Sequence, residues 1–244
     1  MPLRERAYRD PVHGFITVVD PLLQALIDTP EFQRLRRIRQ LGATAGTYHG
    51  AEHSRFGHSL GSLWIMDKIL ERLRSRGLSL DPFTATVARA AALLHDVGHG
   101  PFSHALEGVI TPGAGHEVWS ARIVRGDSAV AAILRGHDPS LADAVAAVIE
   151  GRHPAREVVT LVSSQLDVDR MDYLLRDSLY TGVTYGRFDL ERLINTLLVV
   201  DGDVVLLGKG IVAAEEYVLA RYHMYWQVYL HKTIRGQEVI LRRI

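Results

Sequence analysis

Apolar residues recur every three or four positions through most of the chain, which is the spacing of one buried helical face. In the segment that starts at Thr29-Pro30, for example, the predicted helix places Phe32, Leu35, Ile38 and Leu41 on one face. Proline, glycine and short polar side chains interrupt these runs and set the helix limits. The predicted helices cover 21–27, a segment from residue 30, and 58–74, 82–97, 116–125, 127–135, 139–150, 155–163 and 212–233.

Two short segments have a β pattern instead. After the turn signal Asp10-Pro-Val-His-Gly14, the chain is predicted to form a short strand that ends before residue 20. Residues 196–207 contain two β-branched runs around Asp201-Gly202, a dipeptide typical of tight hairpins. The sequence therefore predicts a mainly α protein, a helical bundle with one or two small β-hairpins. A length of 244 residues without internal repeats predicts one domain over 1–244.

The composition argues against several classes of protein. Hydrophobic residues make up 47% of the chain and charged residues 23%, as in ordinary globular proteins. The apolar runs are much shorter than the ~20 residues that cross a bilayer, and no signal stretch follows the charged N-terminus, so a cytoplasmic protein is expected. A formal net charge of +0 disfavours extended nucleic acid as a partner. Without cysteine, a metal ion must be bound by nitrogen and oxygen donors.

The strongest chemical signal is a group of histidines after the apolar run that ends at Leu94. His95 and Asp96 are adjacent, and a helix that continues to His99 would place both histidines on one face. Glycines and a proline then end the helix and leave these side chains at a rim that a substrate can reach. A second His-Asp pair, His137-Asp138, has no further ligand-type residues nearby and shows what a chance pair looks like. The alternative for the first pair is a histidine hydrogen-bonded at a helix end.

Two other segments offer further donors. In His53-Ser-Arg55-Phe-Gly-His58, the last histidine starts a predicted helix and the arginine is a candidate phosphate ligand. The segment 165–177 contains four aspartates and two arginines among core-type residues, which suits a site that combines a metal carboxylate with groups for phosphate and sugar. A solvated charged helix face explains Asp172 and Arg176 equally well.

These motifs resemble the HD-domain metal phosphohydrolases, and within them the branch of deoxynucleoside triphosphate triphosphohydrolases. The resemblance extends in order over nearly the whole chain. Its motifs are Asp10-Pro-Val-His-Gly, Asp28-Thr-Pro-Glu-Phe-Gln-Arg-Leu-Arg, Gln40-Leu-Gly, His53-Ser-Arg-Phe-Gly-His-Ser-Leu-Gly, His95-Asp-Val-Gly-His-Gly-Pro-Phe-Ser-His, Asp167-Val-Asp-Arg-Met-Asp-Tyr and Tyr229-Leu-His-Lys.

The resemblance implies a metal site and a nucleotide site. Four residues would hold one divalent Mn, Fe or Mg ion: His58, His95, Asp96 and Asp169. The triphosphate would be bound by Arg55, His99, His104, Arg170, Tyr173 and Arg221. The proton-donating pair would be His116 and Glu107. The sugar and base end would be lined by Gln40, Leu41, Asp177 and Tyr229. The implied products are a deoxynucleoside and inorganic triphosphate.

Regulation and assembly are also implied. In the resembled branch, residues of the types found at Asp28, Gln33 and Arg36 hold an activating nucleotide at a subunit interface, although a solvated polar helix face accounts for them equally well. A homo-oligomer, either dimer or tetramer, is expected. Because members of the branch are usually longer, with a C-terminal region that completes the regulatory sites, the sequence is expected to be a truncated or a naturally short form.

Two other functions fit the same residues. An HD phosphohydrolase or phosphodiesterase could act on a nucleoside monophosphate, a signalling nucleotide or a nucleic acid phosphodiester. A catalytically silent HD domain would bind a nucleotide or a protein partner as a sensor, and loss of a metal ligand would be its signature. All four candidate ligands are present, which favours an enzyme.

Overall fold

The computed structural model describes residues 5–78, 80–106, 108–109 and 113–244. Helices dominate this part of the chain, and the strands form two antiparallel pairs. The strands are β1 (Arg6–Asp10), β2 (Gly14–Val18), β3 (Leu197–Val200) and β4 (Asp203–Leu206). The first helices are α1 (Pro21–Ile27), α2 (Pro30–Gln33), α3 (Arg55–Ser75), α4 (Pro82–Leu94), α5 (Ser103–Leu106), α6 (His116–Arg125) and α7 (Ala129–His137). The later helices are α8 (Leu141–Ile149), α9 (Arg156–Val162), α10 (Val168–Thr181), α11 (Leu190–Thr196), α12 (Ile211–Met224) and α13 (Lys232–Leu241).

The ends of these elements follow from local sequence. Asp20 and Asp81 each accept a hydrogen bond from a backbone N–H in the first turn of the following helix, and each precedes a proline at the first helical position. In the β3–β4 hairpin, Asp201 (φ 53°) and Gly202 (φ 80°) form the turn, as the dipeptide predicts. The mainly α fold with small hairpins is therefore confirmed. The predicted strand after the first turn is β2, and its partner β1 was not predicted.

Helix α3 is the centre of the bundle and packs against both α4 and α10. Helix α8 covers the other side of α4. One cluster of buried apolar residues extends from Ile16 to Val228 through these helices. One end each of α3, α4 and α10 lies at the same place, so residues that are distant in sequence share one site. No helix among the described residues is long and apolar enough to span a bilayer.

Three helix predictions were wrong at functional positions. The predicted helix from residue 30 does not reach Leu41, because α2 ends at Gln33, a 3₁₀ turn follows over Arg34–Arg37, and Ile38 has an extended backbone. The predicted helix 82–97 ends at Leu94, and residues 95–98 form a turn. The backbone at Gly98 lies so close to α6 that an added Cβ would be 2.2 Å from Ser120 N and 2.4 Å from His116 O. A regular helix would not bring the chain to this position. The predicted helix 212–233 is also interrupted, because a π-helical turn over Tyr225–Tyr229 separates α12 from α13.

Candidate metal centre and nucleotide pocket

Three side chains from three helices converge on one point. His58 lies in the first turn of α3, His95 directly follows α4, and Asp169 lies in the first turn of α10. The Nε2 atom of His58 is 3.2 Å from Nε2 of His95 and 3.1 Å from Oδ1 of Asp169, while His95 Nε2 is 3.7 Å from the same oxygen. Asp96 approaches the group with carboxylate oxygens 3.7 Å from His58 Nε2 and 3.6 Å from His95 Nε2.

This donor set fits a divalent cation. Two ligand atoms that each lie about 2.1 Å from an ion, at right angles, are about 3 Å apart, which is close to the separations between these side chains. One ligand atom each from His58, His95 and Asp169 lies within 4.8 Å of the others. Two carboxylates and two neutral imidazoles carry a formal charge of −2, which a divalent cation balances. His95 Nδ1 lies 2.9 Å from the Ala92 carbonyl, which directs Nε2 toward the site.

The electrostatics of the group reflect its concentrated negative charge. Burial would lower the pKa of His58, but hydrogen bonds to Asp169 and Asp172 and the charge of Asp96 raise it to about 10. Burial would raise the pKa of Asp169, but the two histidines hold it far below its usual value. The carboxylates are thus ionised and attract positive charge. A metal ion that replaces the proton on His58 would balance the negative charge of the same carboxylates.

Asp96 is held by residues on both sides. Arg55 Nη1 donates to its Oδ2 at 2.6 Å, and His99 Nε2 lies 3.1 Å from its Oδ1. His99 itself contacts Ser103 Oγ through Nδ1. Burial is the main cause that lowers the pKa of His99 well below its usual value. His99 is therefore a neutral imidazole that orients Asp96, and the prediction that it shares a helical face with His95 was wrong.

A second group of donors lies beside the first. Asp96, His99 and His116 each offer one ligand atom, all within 4.8 Å of one another. The His99 and His116 rings are stacked, with centroids 3.8 Å apart, and the His104 ring meets both at an edge. The predicted site residues His99, His104 and His116 therefore lie together on one side of the site. His116 Nε2 is 3.3 Å from Glu117 Oε1, whereas Glu107, its predicted partner, lies outside the described residues.

A buried network of ion pairs, which the sequence did not predict, lies behind His58. Asp172 accepts from His58 Nδ1 (2.8 Å), His13 Nε2 (2.7 Å), and Arg176 Nε and Nη2 (2.8 and 2.9 Å). Arg176 also donates to Asp10 at 2.8 Å. Asp172 and Arg176 are 0% and 1% exposed, so the alternative of a solvated helix face was wrong for both. Their i, i+4 spacing on α10 directs both toward α3.

Glycine on α3 provides the room for this network. A Cβ at Gly61 would lie 1.8 Å from Asp172 Oδ1 and 2.6 Å from Arg176 Nη2. We expect Gly61→Ala to lower the free energy of unfolding by about 3 kcal/mol, because the ion pair must move and lose hydrogen bonds. Gly136→Ala is the matched control, since a Cβ added at that helical glycine would have nothing within 4 Å, and alanine there is expected to be neutral or stabilising. Urea unfolding of both variants tests this, and equal stabilities would contradict it.

A cavity of about 470 Å³ opens in front of these groups. Most residues predicted for metal or nucleotide line it. They are Gln40, Leu41, Arg55, His95, Asp96, His99, His104, His116, Asp169, Arg170, Tyr173, Asp177 and Tyr229. His58 lies behind the cavity and is 0% exposed. Arg221 is not part of the lining and instead donates to Gln165 Oε1.

Three buried polar atoms of lining residues have no hydrogen-bond partner within the described part of the chain. They are Gln40 Oε1, Arg55 Nε and Arg170 Nε. Buried polar groups are nearly always satisfied, so unpaired ones around a cavity indicate a polar ligand. One acceptor lies on the Gln40 side, and the two arginine donors are suited to an anion.

Two tyrosines and an aspartate line the far end of the cavity. Asp169, Tyr173 and Asp177 follow each other at four-residue intervals on α10, so they form one stripe along the wall. Tyr229, in the π-helical turn, donates its hydroxyl to Asp177 Oδ2 at 2.8 Å, and its ring meets Tyr173 at an edge. Burial is the largest cause that raises the pKa of both tyrosines, so both phenols are neutral donors.

The residues predicted for an activating nucleotide have partners of their own. Arg36 Nε donates to Gln33 Oε1 at 2.9 Å, and its guanidinium carbon lies 3.6 Å from the centre of the Phe56 ring. Asp28 forms an ion pair with Arg6 at 2.7 Å. They lie on the surface segment that includes α2, apart from the cavity lining.

Comparison with known proteins assigns the chain to a family. A family model described as HD domain matches residues 55–177. This chain belongs to the HD domain family. The match begins with α3 and ends at Asp177, so it contains all four candidate metal ligands. The model of an HD associated region matches residues 188–244, which include the β3–β4 hairpin and α12. The HD-domain resemblance predicted from the motifs is thus confirmed.

Relatives of this HD domain protein cover nearly all of it. Uncharacterized protein YwfO of Bacillus subtilis is 47% identical over 98% of this chain and 55% of its own length. The deoxynucleoside triphosphate triphosphohydrolase SAMHD1 homolog of Dictyostelium discoideum is 32% identical over 95% of this chain and 47% of its own length. The crystal structure of a phosphohydrolase from Bacteroides thetaiotaomicron matches with a TM-score of 0.89 and 40% identity, over 98% of this chain and 58% of that one. The chain thus spans about half the length of the curated relatives.

Proposed function

We propose that this HD domain hydrolyses deoxynucleoside triphosphates to a deoxynucleoside and inorganic triphosphate, with a divalent metal ion. The observation that carries the proposal is a single cavity that has metal donors at one point, arginines and histidines beside them, and a carboxylate with two tyrosines at the far end. Its size is within the range of small-ligand pockets. Similarity to a protein named as a deoxynucleoside triphosphate triphosphohydrolase supports the substrate class.

His58, His95, Asp96 and Asp169 would hold the ion. The two imidazole nitrogens favour Mn or Fe over Mg, because Mg prefers an all-oxygen shell. A bound ion would supply Lewis-acid chemistry, which polarises a phosphoryl oxygen and activates water. Asp96 is fixed by Arg55 and His99, and His58 by Asp172, so these ligands are already oriented before an ion binds.

Arg55 and Arg170 are suited to the phosphates. Both line the cavity, and each has a buried Nε without a partner in the described structure. Arg170 is half-buried, and the carboxylate of Asp167 holds it beside the metal donors. Arginine donors beside a phosphate neutralise the charge that shifts toward the leaving group. His104 and Tyr173 extend this surface, and Arg221 would need to leave Gln165 to join it.

His116 is the proposed proton donor, with Glu107 as its proposed carboxylate partner. In the reaction, the oxygen of water forms a bond to the α-phosphorus and the bond from that phosphorus to O5′ breaks. O5′ must then receive a proton to leave as a hydroxyl. His99 does not suit this step, because its lowered pKa leaves it neutral and its Nε2 contacts Asp96. His116 is stacked on His99 at the cavity wall.

The nucleoside end would consist of Gln40, Leu41, Asp177 and Tyr229. An activating nucleotide near Asp28, Gln33 and Arg36, a homo-oligomer, one domain over 1–244 and a cytoplasmic location belong to the same proposal. The activating site and the homo-oligomer depend on the resemblance of the sequence motifs to the triphosphohydrolase branch, and the single domain and the cytoplasmic location depend on the sequence pattern.

Product analysis tests the proposed reaction. The purified protein is incubated with each deoxynucleoside triphosphate and Mn²⁺ or Mg²⁺, aerobically and anaerobically, with and without a second nucleotide. Ion-exchange chromatography separates the products. We expect equal amounts of deoxynucleoside and inorganic triphosphate, and none from the variant His95→Ala/Asp96→Ala. Dependence on the second nucleotide would reveal an activator.

Other products would reject this reaction. Release of a nucleoside monophosphate or diphosphate would support a different phosphohydrolase on the same site. Absence of turnover of every deoxynucleoside triphosphate, together with bound metal and tight nucleotide binding, would support the sensor function instead.

A further inference from the structure

His53 lies behind the nucleoside end of the cavity, and its side chain is 3% exposed. Its ring contacts Asp177, with Nε2 at 2.7 Å from Oδ1. Its backbone carbonyl accepts a hydrogen bond from Gln40 N at 3.0 Å. Asp177 and Gln40 both line the cavity, whereas His53 does not. One residue outside the cavity therefore connects two of the groups at its nucleoside end.

The direction of the His53 hydrogen bond follows from its partners. A carboxylate oxygen accepts hydrogen bonds, so we assign the donor of this hydrogen bond as His53 Nε2 and the acceptor as Asp177 Oδ1. His53 Nδ1 is buried and has no hydrogen-bond partner within the described residues, so Nε2 makes the one hydrogen bond of the ring. The ring is stacked on Tyr180, with centroids 4.5 Å apart and planes at 23°. The stacking and the burial leave the donor one orientation.

Asp177 is consequently held at both oxygens. His53 donates to Oδ1 and Tyr229 donates to Oδ2, and the Asp177 side chain is 2% exposed. Each carboxylate oxygen can accept two hydrogen bonds, so each retains one position for a ligand in the cavity. Hydroxyl and N–H groups of a ligand can both donate to such an oxygen, and in a nucleoside the sugar supplies the hydroxyl. In a deoxynucleotide the sugar has a single free hydroxyl.

A second cavity lies on the other side of His53. It measures about 570 Å³, and its lining includes His53, Tyr180 and Phe56 but not Asp177. The imidazole therefore separates Asp177 from this space. Loss of the donor would let the carboxylate turn and exchange the hydrogen bond for one to water, since His53 is the hydrogen-bond partner of Oδ1 among the described residues.

We propose that His53 is a positioning residue for sugar recognition, which holds Asp177 so that the carboxylate accepts the free hydroxyl of the deoxyribose. This inference rests on the proposed function. His53 does not touch the reacting atoms, so its loss affects binding of the sugar more than the chemical step. The effect depends on the substrate hydroxyl, which a purely structural role would not require.

Kinetics of two His53 variants test the inference. His53→Phe keeps a ring for stacking on Tyr180 but removes the donor, and His53→Gln restores an N–H near the position of Nε2. For a deoxynucleoside triphosphate, His53→Phe is expected to raise KM about 10-fold, the effect of one hydrogen bond to a charged group, with kcat nearly unchanged. For the 2′,3′-dideoxy analogue it is expected to leave KM unchanged. His53→Gln is expected to return KM most of the way to the wild-type value. His137→Phe, a change at an exposed histidine, is the control and should leave KM unchanged.

A binding measurement separates this inference from the proposed reaction. Deoxynucleosides and 2′,3′-dideoxynucleosides are titrated into wild type and His53→Phe and followed by NMR. A preference of wild type for the deoxynucleoside that disappears in His53→Phe supports the role of His53, even if no triphosphate is hydrolysed. An equal loss of affinity for both ligands, or equal increases in both KM values, would overturn it while leaving the reaction intact.

Discussion

Asp169→Ala is expected to abolish binding of the divalent ion and to slow hydrolysis by at least about 1000-fold, which corresponds to about 4 kcal/mol of transition-state stabilisation. Asp169 is one of the two carboxylates among the four proposed ligands, and its Oδ1 lies 3.1 Å from His58 Nε2 and 3.7 Å from His95 Nε2. Without it, the formal charge of the donor set falls from −2 to −1 and one ligand atom is lost, so a divalent cation is no longer retained. Metal content by plasma mass spectrometry and product release measure the two effects.

The fold of Asp169→Ala should persist, because the side chain is 31% exposed at the cavity and the core lies elsewhere. Asp143→Ala is a matched control, since this aspartate is 79% exposed and, among the residues that the structure describes, forms its ion pair with Arg125 at the surface. It should retain metal and activity. A variant Asp169→Ala that binds the ion with wild-type stoichiometry and affinity would show that Asp169 is not a ligand.

The metal donors could be predicted because their signal is local. His95-Asp96 follows an apolar helix and precedes helix-ending residues, and this context distinguishes it from His137-Asp138, which lies at the exposed end of α7. The sequence could not show that α4 ends at Leu94. That depends on the close approach of Gly98 to α6, a contact between segments with no pattern of its own.

The segment 165–177 was harder to interpret, because its charges belong to three different environments. Asp167 caps α10, Asp169 faces the metal donors, and Asp172 is buried against α3. Charge alone predicts a solvated face for all of them. The relevant signal was on another helix, where Gly57 and Gly61 are four residues apart and leave room for Arg176 and Asp172.

The break between α12 and α13 had no sequence signal that periodicity detects. Tyr225, Trp226 and Tyr229 continue the aromatic pattern of α12, and no proline or glycine interrupts it. The π-helical turn nevertheless places Tyr225 and Tyr229 at the cavity, while Trp226 is 66% exposed. Such turns are often found at functional sites, where they change the direction of side chains.

Asp172→Asn is expected to lower the free energy of unfolding by about 3–5 kcal/mol and to weaken metal binding by about 10–100-fold. The Asp172 carboxylate has four acceptor positions, and His13, His58 and two nitrogens of Arg176 fill all of them. In asparagine an NH₂ group replaces one carboxylate oxygen, and this donor would face the N–H donors of the histidines and of Arg176. Arg176 is then buried beside a neutral group, and the orientation of His58 toward the metal is no longer fixed.

The pH dependence separates this effect from surface electrostatics. Burial would raise the pKa of Asp172, but the charge of Arg176 and the hydrogen bonds from His13 and His58 hold it well below its usual value. A depressed pKa stabilises the fold above the pKa of the unfolded chain, and that contribution is lost only as the pH falls through the lower folded-state value. Between pH 6 and pH 8 the ionised Asp172 itself gives a constant contribution, but Asp172 also raises the pKa of His58. That second contribution is complete below about pH 6.5 and is lost as the pH rises toward 10, so the difference between wild type and Asp172→Asn should be largest at pH 6 and smaller at pH 8. Urea unfolding over this range measures it, with Asp143→Asn expected to change stability by less than about 0.5 kcal/mol. A small, salt-sensitive loss in Asp172→Asn would mean that the network behind His58 stabilises neither the fold nor the metal site.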